Sequence, residues 1–474
     1  MHSDVLIVGS GSAGSVLAAC LSVDEQCRVT VLEAGPGLSD PGIAAVTSNA
    51  SVLPIGATSK LVRRYQTMLT DDPPRVTEIV RGAVVGGSGA VNGGYFCRGL
   101  PRDFDGWGIA GWRWRDVRGH FRAIENDLDF SGPAHGSDGP IPVHRCAEFS
   151  SFIADFVRCA RDAGYRWIAD LNSGTDDAGV GAVPLNIVDG RRANPGERYL
   201  QRALVRPNLS LLTHTRARRV NIASGRAVAV EADGPRGPLA LTADRIVLCA
   251  GAIGSAHLLM LSGVGDEAAL QRVGIPVVAP LPVGARCADH PEWVMSTSWV
   301  TAPGRPVLEV ILLTEDNLEI RPYTGGFVAM VGNGTAGRPD CPHIGVALTQ
   351  PRSRGRLMLM SAEPTAPLRI EHRYDSNRAD VAALNSGSEL ARELFSPITE
   401  LGRPLWSTSQ HLCGSAPIGS DDDDHAVLDP MCRVRGVDGL WVIDGSALPA
   451  ITSRGPHASI VMLAHRAAEF VLAT

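Results

Sequence analysis

The sequence predicts an α/β protein: a Rossmann-like nucleotide-binding domain joined to an α+β substrate domain with an antiparallel sheet. Three observations carry this. Residues 4–33 read as strand, glycines, helix and strand. A second buried strand, Arg245-Ile246-Val247-Leu248-Cys249, runs into another glycine turn and an apolar helix. Between residues 291 and 406 the pattern changes to short apolar runs (307–313, 327–331, 344–348, 357–360, 368–370) punctuated by proline and glycine, as in antiparallel sheet. A chain of 474 residues is long enough for two domains.

In the opening element, Val5-Leu6-Ile7-Val8 is apolar on both faces, as in a parallel strand covered by helices. Gly9, Gly11 and Gly14 then give G-x-G-x-x-G, with Ser12 and Ala13 inside it. Gly9 makes the turn, Gly11 lets backbone approach a pyrophosphate, and Gly14 lets helix pack on strand. The helix N-terminus offers unpaired N–H groups and a positive dipole end. The next strand, 28–32, ends at Glu33 and Ala34. A carboxylate there accepts ribose hydroxyls and repels a 2′-phosphate, which disfavours NADP. The later βα unit has Gly251 and Gly254 without the full fingerprint, so one dinucleotide is expected and not two.

Hydrophobic content of 44% and charged content of 20% describe an ordinary globular protein. A net charge of -6 gives no reason to expect nucleic acid or an anionic membrane as partner. No apolar run approaches the roughly 20 residues of a membrane span, so no transmembrane segment is expected. The first strand is expected to start at Asp4, so no signal peptide is expected. The expected location is cytoplasmic, with peripheral docking at the inner face of the membrane as the alternative. Ten scattered cysteines without C-x-x-C or metal-ligand spacing are read as small buried hydrophobes, and no metal site is expected. The acidic run Asp421 to Asp424 is read as a solvated loop.

A loop without clear period reaches about residue 56. Arg81 to Gly94 then holds six glycines in fourteen residues, too many for a helix interior or strand and suited to lying against a large flat ligand. Here the chain resembles the glucose–methanol–choline (GMC) oxidoreductases, FAD-dependent alcohol dehydrogenases and oxidases. Arg81-Gly82-x-x-x-Gly86-Gly87-Ser88-x-x-x-Asn92-Gly93 matches a family element. So do Asp103-Phe104-Asp105-x-Trp107, Gly111-Trp112-x-Trp114, His135-Gly136-x-x-Gly139-Pro140, Arg198-Tyr199-Leu200, the run 250–265 and Asp289-His290-Pro291. The matches extend from residue 4 to about 468. The resemblance implies FAD contacts from Gly9, Gly11, Ser12, Ala13, Gly14, Glu33, Ala34, Arg81, Gly86, Gly87, Ser88, Asn92, Gly93, Val220, Asp444, Gly445, Pro456 and His457. It also implies a discontinuous FAD-binding domain (1–105, 196–290 and 433–474) interrupted by a substrate domain (106–195 and 291–432). Some relatives link FAD covalently through a His before the Asn of the glycine run; Val91 stands there, so FAD is expected to be noncovalent.

His411-Leu412-Cys413-Gly414-Ser415-Ala416-Pro417-Ile418-Gly419 resembles the family segment whose His is the catalytic base. Oxidising an alcohol removes a hydroxyl proton and a hydride; flavin N5 takes the hydride, and an imidazole suits the proton. His411 is therefore the expected base, while His290 is read as structural. Relatives carry a second Asn or His before Pro, but here Ser453-Arg454-Gly455-Pro456-His457 puts glycine at that position. His457, two residues along, is the candidate replacement, and Arg454 is read as pointing to solvent. Residues 84–100 resemble the mycofactocin-associated branch of the family. That implies reduced mycofactocin (mycofactocinol) as the alcohol-type substrate and a quinone or respiratory carrier as acceptor. The rivals are an oxygen-using alcohol or choline-type oxidase and an inactive flavin-binding scaffold.

Overall fold

The computed structural model describes residues 2–302, 304–326 and 341–473. Among the described residues its first sheet has seven strands, and three of the parallel ones form at the predicted segments 5–8, 28–32 and 245–249. Leu209–Leu212, Val29–Leu32, His2–Val8 and Gly237–Leu248 lie side by side, with Leu440–Val442 on the far side of Gly237–Leu248. Val5 stands opposite both Val29 and Arg245, and Val8 opposite Leu32 and Leu248, so the strand C-termini align along one edge. The strands Arg226–Gly234 and Arg216–Ala223 extend this sheet antiparallel. Helices Ser12–Leu21, Gly251–Leu261 and His457–Leu472 cover it with almost continuously apolar faces.

Among the described residues the second sheet also has seven strands. Its order is Leu405–Thr408, Pro291–Ser296, His343–Leu348, Leu318–Pro322, Val310–Leu313, Gly179–Ala182 and Trp167–Ile168. All neighbours pair antiparallel except the last two. Helix Arg378–Phe395 packs beneath it, with Phe395 stacked on Phe156 at 4.1 Å between ring centres. The expected strand at 327–331 lies outside the described residues. The expected strands at 357–360 and 368–370 do form, but elsewhere: Arg356–Met358 and Arg369–Glu371 join the hairpin Val62–Asp71/Pro74–Gly82 in a separate four-stranded sheet. That hairpin and the helix Pro41–Ser48 carry no clear apolar period. The helix is specified by Asp40, whose side chain accepts from Gly42 N–H at 2.8 Å.

A buried charge cluster ties the segment around His135 to its surroundings. Arg145 Nη1 donates to Asp127 at 2.8 Å and Arg145 Nη2 to Asp170 at 2.8 Å, while Arg98 binds Glu125. His135 lies 3.1 Å from both Asp127 and Asp170. Two guanidinium groups already fill the space between these carboxylates, so the cluster is an ion-pair network. Its contact with Glu125 and the neighbouring Asp170 and Asp127 raise the His135 pKa. A raised histidine pKa contributes stability in full below the unfolded value of about 6.5, and the contribution fades as pH rises through the folded value. Denaturant titration from pH 6 to 9 should therefore show stability falling across that window. In His135→Asn the fall should be reduced, with a loss of about 1–3 kcal/mol at pH 6 for the unpaired acids; equal pH slopes for both proteins would refute this.

Candidate active site

The strand ends of the first sheet and the face of the second enclose a cavity of ≈ 760 Å³. Of the predicted cofactor residues, Gly9, Gly11, Ser12, Ala13, Glu33, Ala34, Arg81, Gly87, Ser88, Asn92, Gly93, Asp444, Gly445, Pro456 and His457 line it, and so does His411. Three do not. Gly14 lies behind, where any side chain would run into the Gly9 carbonyl. Gly86 turns the chain at φ +93° next to Asn194. Val220 is the correction: its strand turns Arg216 and Ala217 to the cavity, and Val220 sits in the core with its N–H donating to Ser262 Oγ at 2.8 Å.

The dinucleotide end is prearranged by hydrogen bonds. Glu33 accepts from Ser10 Oγ at 2.6 Å and from Gly35 N–H at 2.8 Å, which fixes its carboxylate at the end of strand Val29–Leu32. Gly87, at φ +53°, presses on Gly11, so the two glycine-rich segments meet backbone to backbone. A Cβ on Gly11 itself would meet nothing closer than 3.8 Å, so that glycine fronts open cavity as a pyrophosphate cradle requires. Asp444 accepts from Gly251 N–H at 2.8 Å and Ser255 Oγ at 2.6 Å. It pins the start of helix Gly251–Leu261 to the turn Gly445–Ala447. Arg81 Nη2 is a buried donor with no protein partner on the same wall. These features fit a bound FAD.

The histidines divide into two groups. His457 lies 3.1 Å from Ser12 Oγ through Nε2 and 3.3 Å from Asn92 Nδ2 through Nδ1. Asn92 Oδ1 accepts from Gly94 N–H, so its amide nitrogen faces His457 as donor. Both ring nitrogens thus serve the glycine segments, leaving none for a substrate hydroxyl, and burial lowers the pKa to about 4. In this arrangement His457 faces the cofactor-side segments. The space beside Gly455 is taken by Tyr95: a Cβ on Gly455 would stand 3.1 Å from the Tyr95 ring and 3.2 Å from His411 Cε1.

His411 is held by two adjacent residues. Its backbone N–H donates to Asp289 Oδ1 at 2.8 Å, and its Nδ1 lies 2.9 Å from His290 Nδ1. His290 Nε2 is 3.0 Å from the Thr452 carbonyl, which can only accept, so that nitrogen carries the proton. Burial, then Arg321, lowers the His290 pKa to about 3, so its Nδ1 is an acceptor. His411 Nδ1 must then be the donor, and Nε2 keeps the lone pair. His290, expected to be structural only, is the group that sets this tautomer. Its motif gave the signal, but the pairing spans 121 positions. Burial also lowers the His411 pKa well below the usual histidine range, with help from His290 and three further neighbours. Arg454 does not point to solvent: it is 5% exposed and donates to the Ser453 carbonyl at 3.0 Å. Asp103 anchors the same loop through Ser453 N–H at 2.8 Å.

Comparison with known proteins agrees with this architecture. Residues 3–292 match the N-terminal and 351–464 the C-terminal domain of GMC oxidoreductases. An uncharacterized GMC-type oxidoreductase in the thcA 5′ region of Rhodococcus erythropolis is 39% identical, covering 99% of this chain and 98% of its own. An oxygen-dependent choline dehydrogenase of Rhizobium etli is 30% identical over 100% and 96%. Among solved structures, pyridoxine 4-oxidase from Mesorbium loti superposes with a TM-score of 0.87 at 28% identity over 98% of both chains. A formate oxidase superposes with a TM-score of 0.90 at 22% identity, covering 100% of this chain and 98% of its own, and so speaks for the fold. The chain belongs to the GMC oxidoreductase family and is an FAD-dependent oxidoreductase acting on alcohol-like substrates. Among the described residues, no helix is long and apolar enough to cross a membrane.

Val91 lines the cavity beside Asn92 and has no nucleophilic atom. Acid precipitation should accordingly release all flavin into the supernatant; yellow colour retained on the denatured chain would refute noncovalent binding.

Proposed function

We propose that this protein is a dehydrogenase of a CH–OH donor in which His411 removes the hydroxyl proton. The observation that carries the reading is the His290–His411 pair, which leaves His411 Nε2 as an unprotonated acceptor on the cavity wall. Bound FAD supplies the two-electron acceptor. The chain supplies the rest: Asp289 fixes the backbone of the base, His290 fixes its ring, and the glycine segments with Glu33, Arg81, Asn92 and His457 form the cofactor-side wall. The division into an FAD-binding domain (1–105, 196–290, 433–474) and a substrate domain (106–195, 291–432) belongs to the same proposal. Membership of Trp167–Ile168 and Gly179–Ala182 in the sheet of Pro291–Ser296 supports it.

We place mycofactocinol first among donors, on the likeness of residues 84–100 to the mycofactocin-associated branch, with a quinone or respiratory carrier as acceptor and peripheral association at the inner membrane face. An oxygen-using alcohol or choline-type oxidase is the second reading, favoured by the names of the choline dehydrogenase relatives.

His411→Ala should retain FAD yet slow anaerobic flavin reduction about 10²-fold or more, the usual contribution of a positioned base. Because burial depresses the His411 pKa, the acid limb of kcat/KM should lie below pH 6.5. Unchanged reduction in the variant would remove His411 from the mechanism.

Acceptor choice follows from the same electrostatics. His290, His411 and His457 are all held below the usual range, so no imidazolium stands in the cavity at neutral pH to favour the charge-separated step of oxygen reduction. Stopped-flow reoxidation should be faster with a soluble quinone than with air-saturated buffer. The reverse order would replace the dehydrogenase by the oxidase.

A further inference from the structure

Beside His411 the cavity wall is a chain of charged and phenolic groups that the cofactor end does not use. Glu292 stands two residues after His290 on strand Pro291–Ser296, and Ser409 two residues before His411, so this chain is tied to the catalytic pair through the backbone. Tyr323 OH donates to Glu292 Oε1 at 2.8 Å, and Ser409 Oγ donates to Oε2 at 3.0 Å. Arg321 Nη1 reaches the same Oε2 at 3.3 Å and Ser409 Oγ at 2.6 Å. Arg321 Nε donates to Glu319 Oε1 at 2.7 Å, and Tyr95 OH donates to Glu319 Oε2 at 3.1 Å. Glu292, Arg321, Tyr323, Ser409 and Tyr95 all line the cavity. Glu292 and Glu319 are fully buried, and the Arg321 side chain is only 4% exposed.

Each oxygen of Glu292 therefore already has a protein donor, and a guanidinium stands against the carboxylate. Arg454 is also buried and acts electrostatically on Tyr95, and Arg81 acts on His411, so both acids of this wall are paired and positive charge is not in deficit beside them. A cation entering such a compartment loses its hydration and finds no uncommitted counter-charge, which is a net cost. An uncharged alcohol meets apolar surface from Val307 and Leu308 and the phenol edges instead. We propose that Arg321 is a specificity-determining residue: by neutralising Glu292 in place, it reserves the site for uncharged alcohols and excludes alcohols that carry an ammonium group. This rests on the proposed CH–OH oxidation and names its substrate class.

The test uses the FAD-loaded protein with choline and with its neutral isostere, in which a tert-butyl group replaces the trimethylammonium group. Binding is read anaerobically from perturbation of the flavin absorbance, and turnover from bleaching. The isostere should bind at least about tenfold more tightly than choline, since every tenfold is only about 1.4 kcal/mol. Replacing Glu319→Gln together with Arg321→Gln frees Glu292 while removing one charge of each sign, and should move the binding ratio towards choline at least tenfold. Equal or tighter choline binding by the native protein would overturn the proposal. So would binding of neither alcohol, or an unchanged ratio in a folded, flavin-loaded double variant. If both ligands bind as expected but neither bleaches the flavin, the charge assignment stands and the oxidation reading fails.

Discussion

The site depends on one dipeptide. Asp289 and His290 hold His411 twice, the carboxylate through the backbone N–H and the imidazole through the ring. A histidine with a free ring could present either nitrogen to the cavity. Here the Thr452 carbonyl decides the tautomer of His290, and His290 decides that of His411. The same carboxylate accepts from Thr408 Oγ at 2.8 Å, and Thr408 in turn accepts from Gln410 N–H at 2.9 Å. Gln410 takes the left-handed conformation, φ 60°, so its strain is held in place by a closed set of hydrogen bonds around His411.

The two sides of the cavity are built on different physical terms. The cofactor side is backbone: glycines in close approach, helix starts pinned by Glu33 and Asp444, and His457 bridging Ser12 to Asn92. Such surfaces offer N–H groups at their centre, which suits a long ligand with a pyrophosphate there. The substrate side is side chains on strands, with Glu319 and Arg321 two residues apart and so on one face. Burial acts on both sides and keeps the three histidines of the site uncharged.

Much of this was legible in the chain. Three of the parallel strands, at 5–8, 28–32 and 245–249, were visible because each is apolar on both faces, and the glycine segments because their spacing has a mechanical meaning. His411 was visible from its motif. The helix Arg378–Phe395 carries apolar residues at helical spacing. The hairpin Val62–Asp71/Pro74–Gly82 was not visible, since Val62-Arg63-Arg64-Tyr65-Gln66-Thr67 offers no clean alternation and gains its order only by pairing with strand Arg369–Glu371.

The sequence by itself determined the nucleotide fold and the family and singled out His411 as the candidate base, because these rest on local patterns: a strand ending in glycines, a carboxylate ending the next strand, a histidine in a recognisable segment. It left open what stands at Gly455, what His457 does and which group orients His411. Those depend on contacts between residues far apart in the chain, 121 positions for His290 with His411 and 365 for Asn92 with His457. Only the tertiary structure decided them. Which nitrogen keeps its lone pair, and which carboxylate already has its counter-charge, follow from hydrogen-bond partners that folding alone brings within about 3 Å.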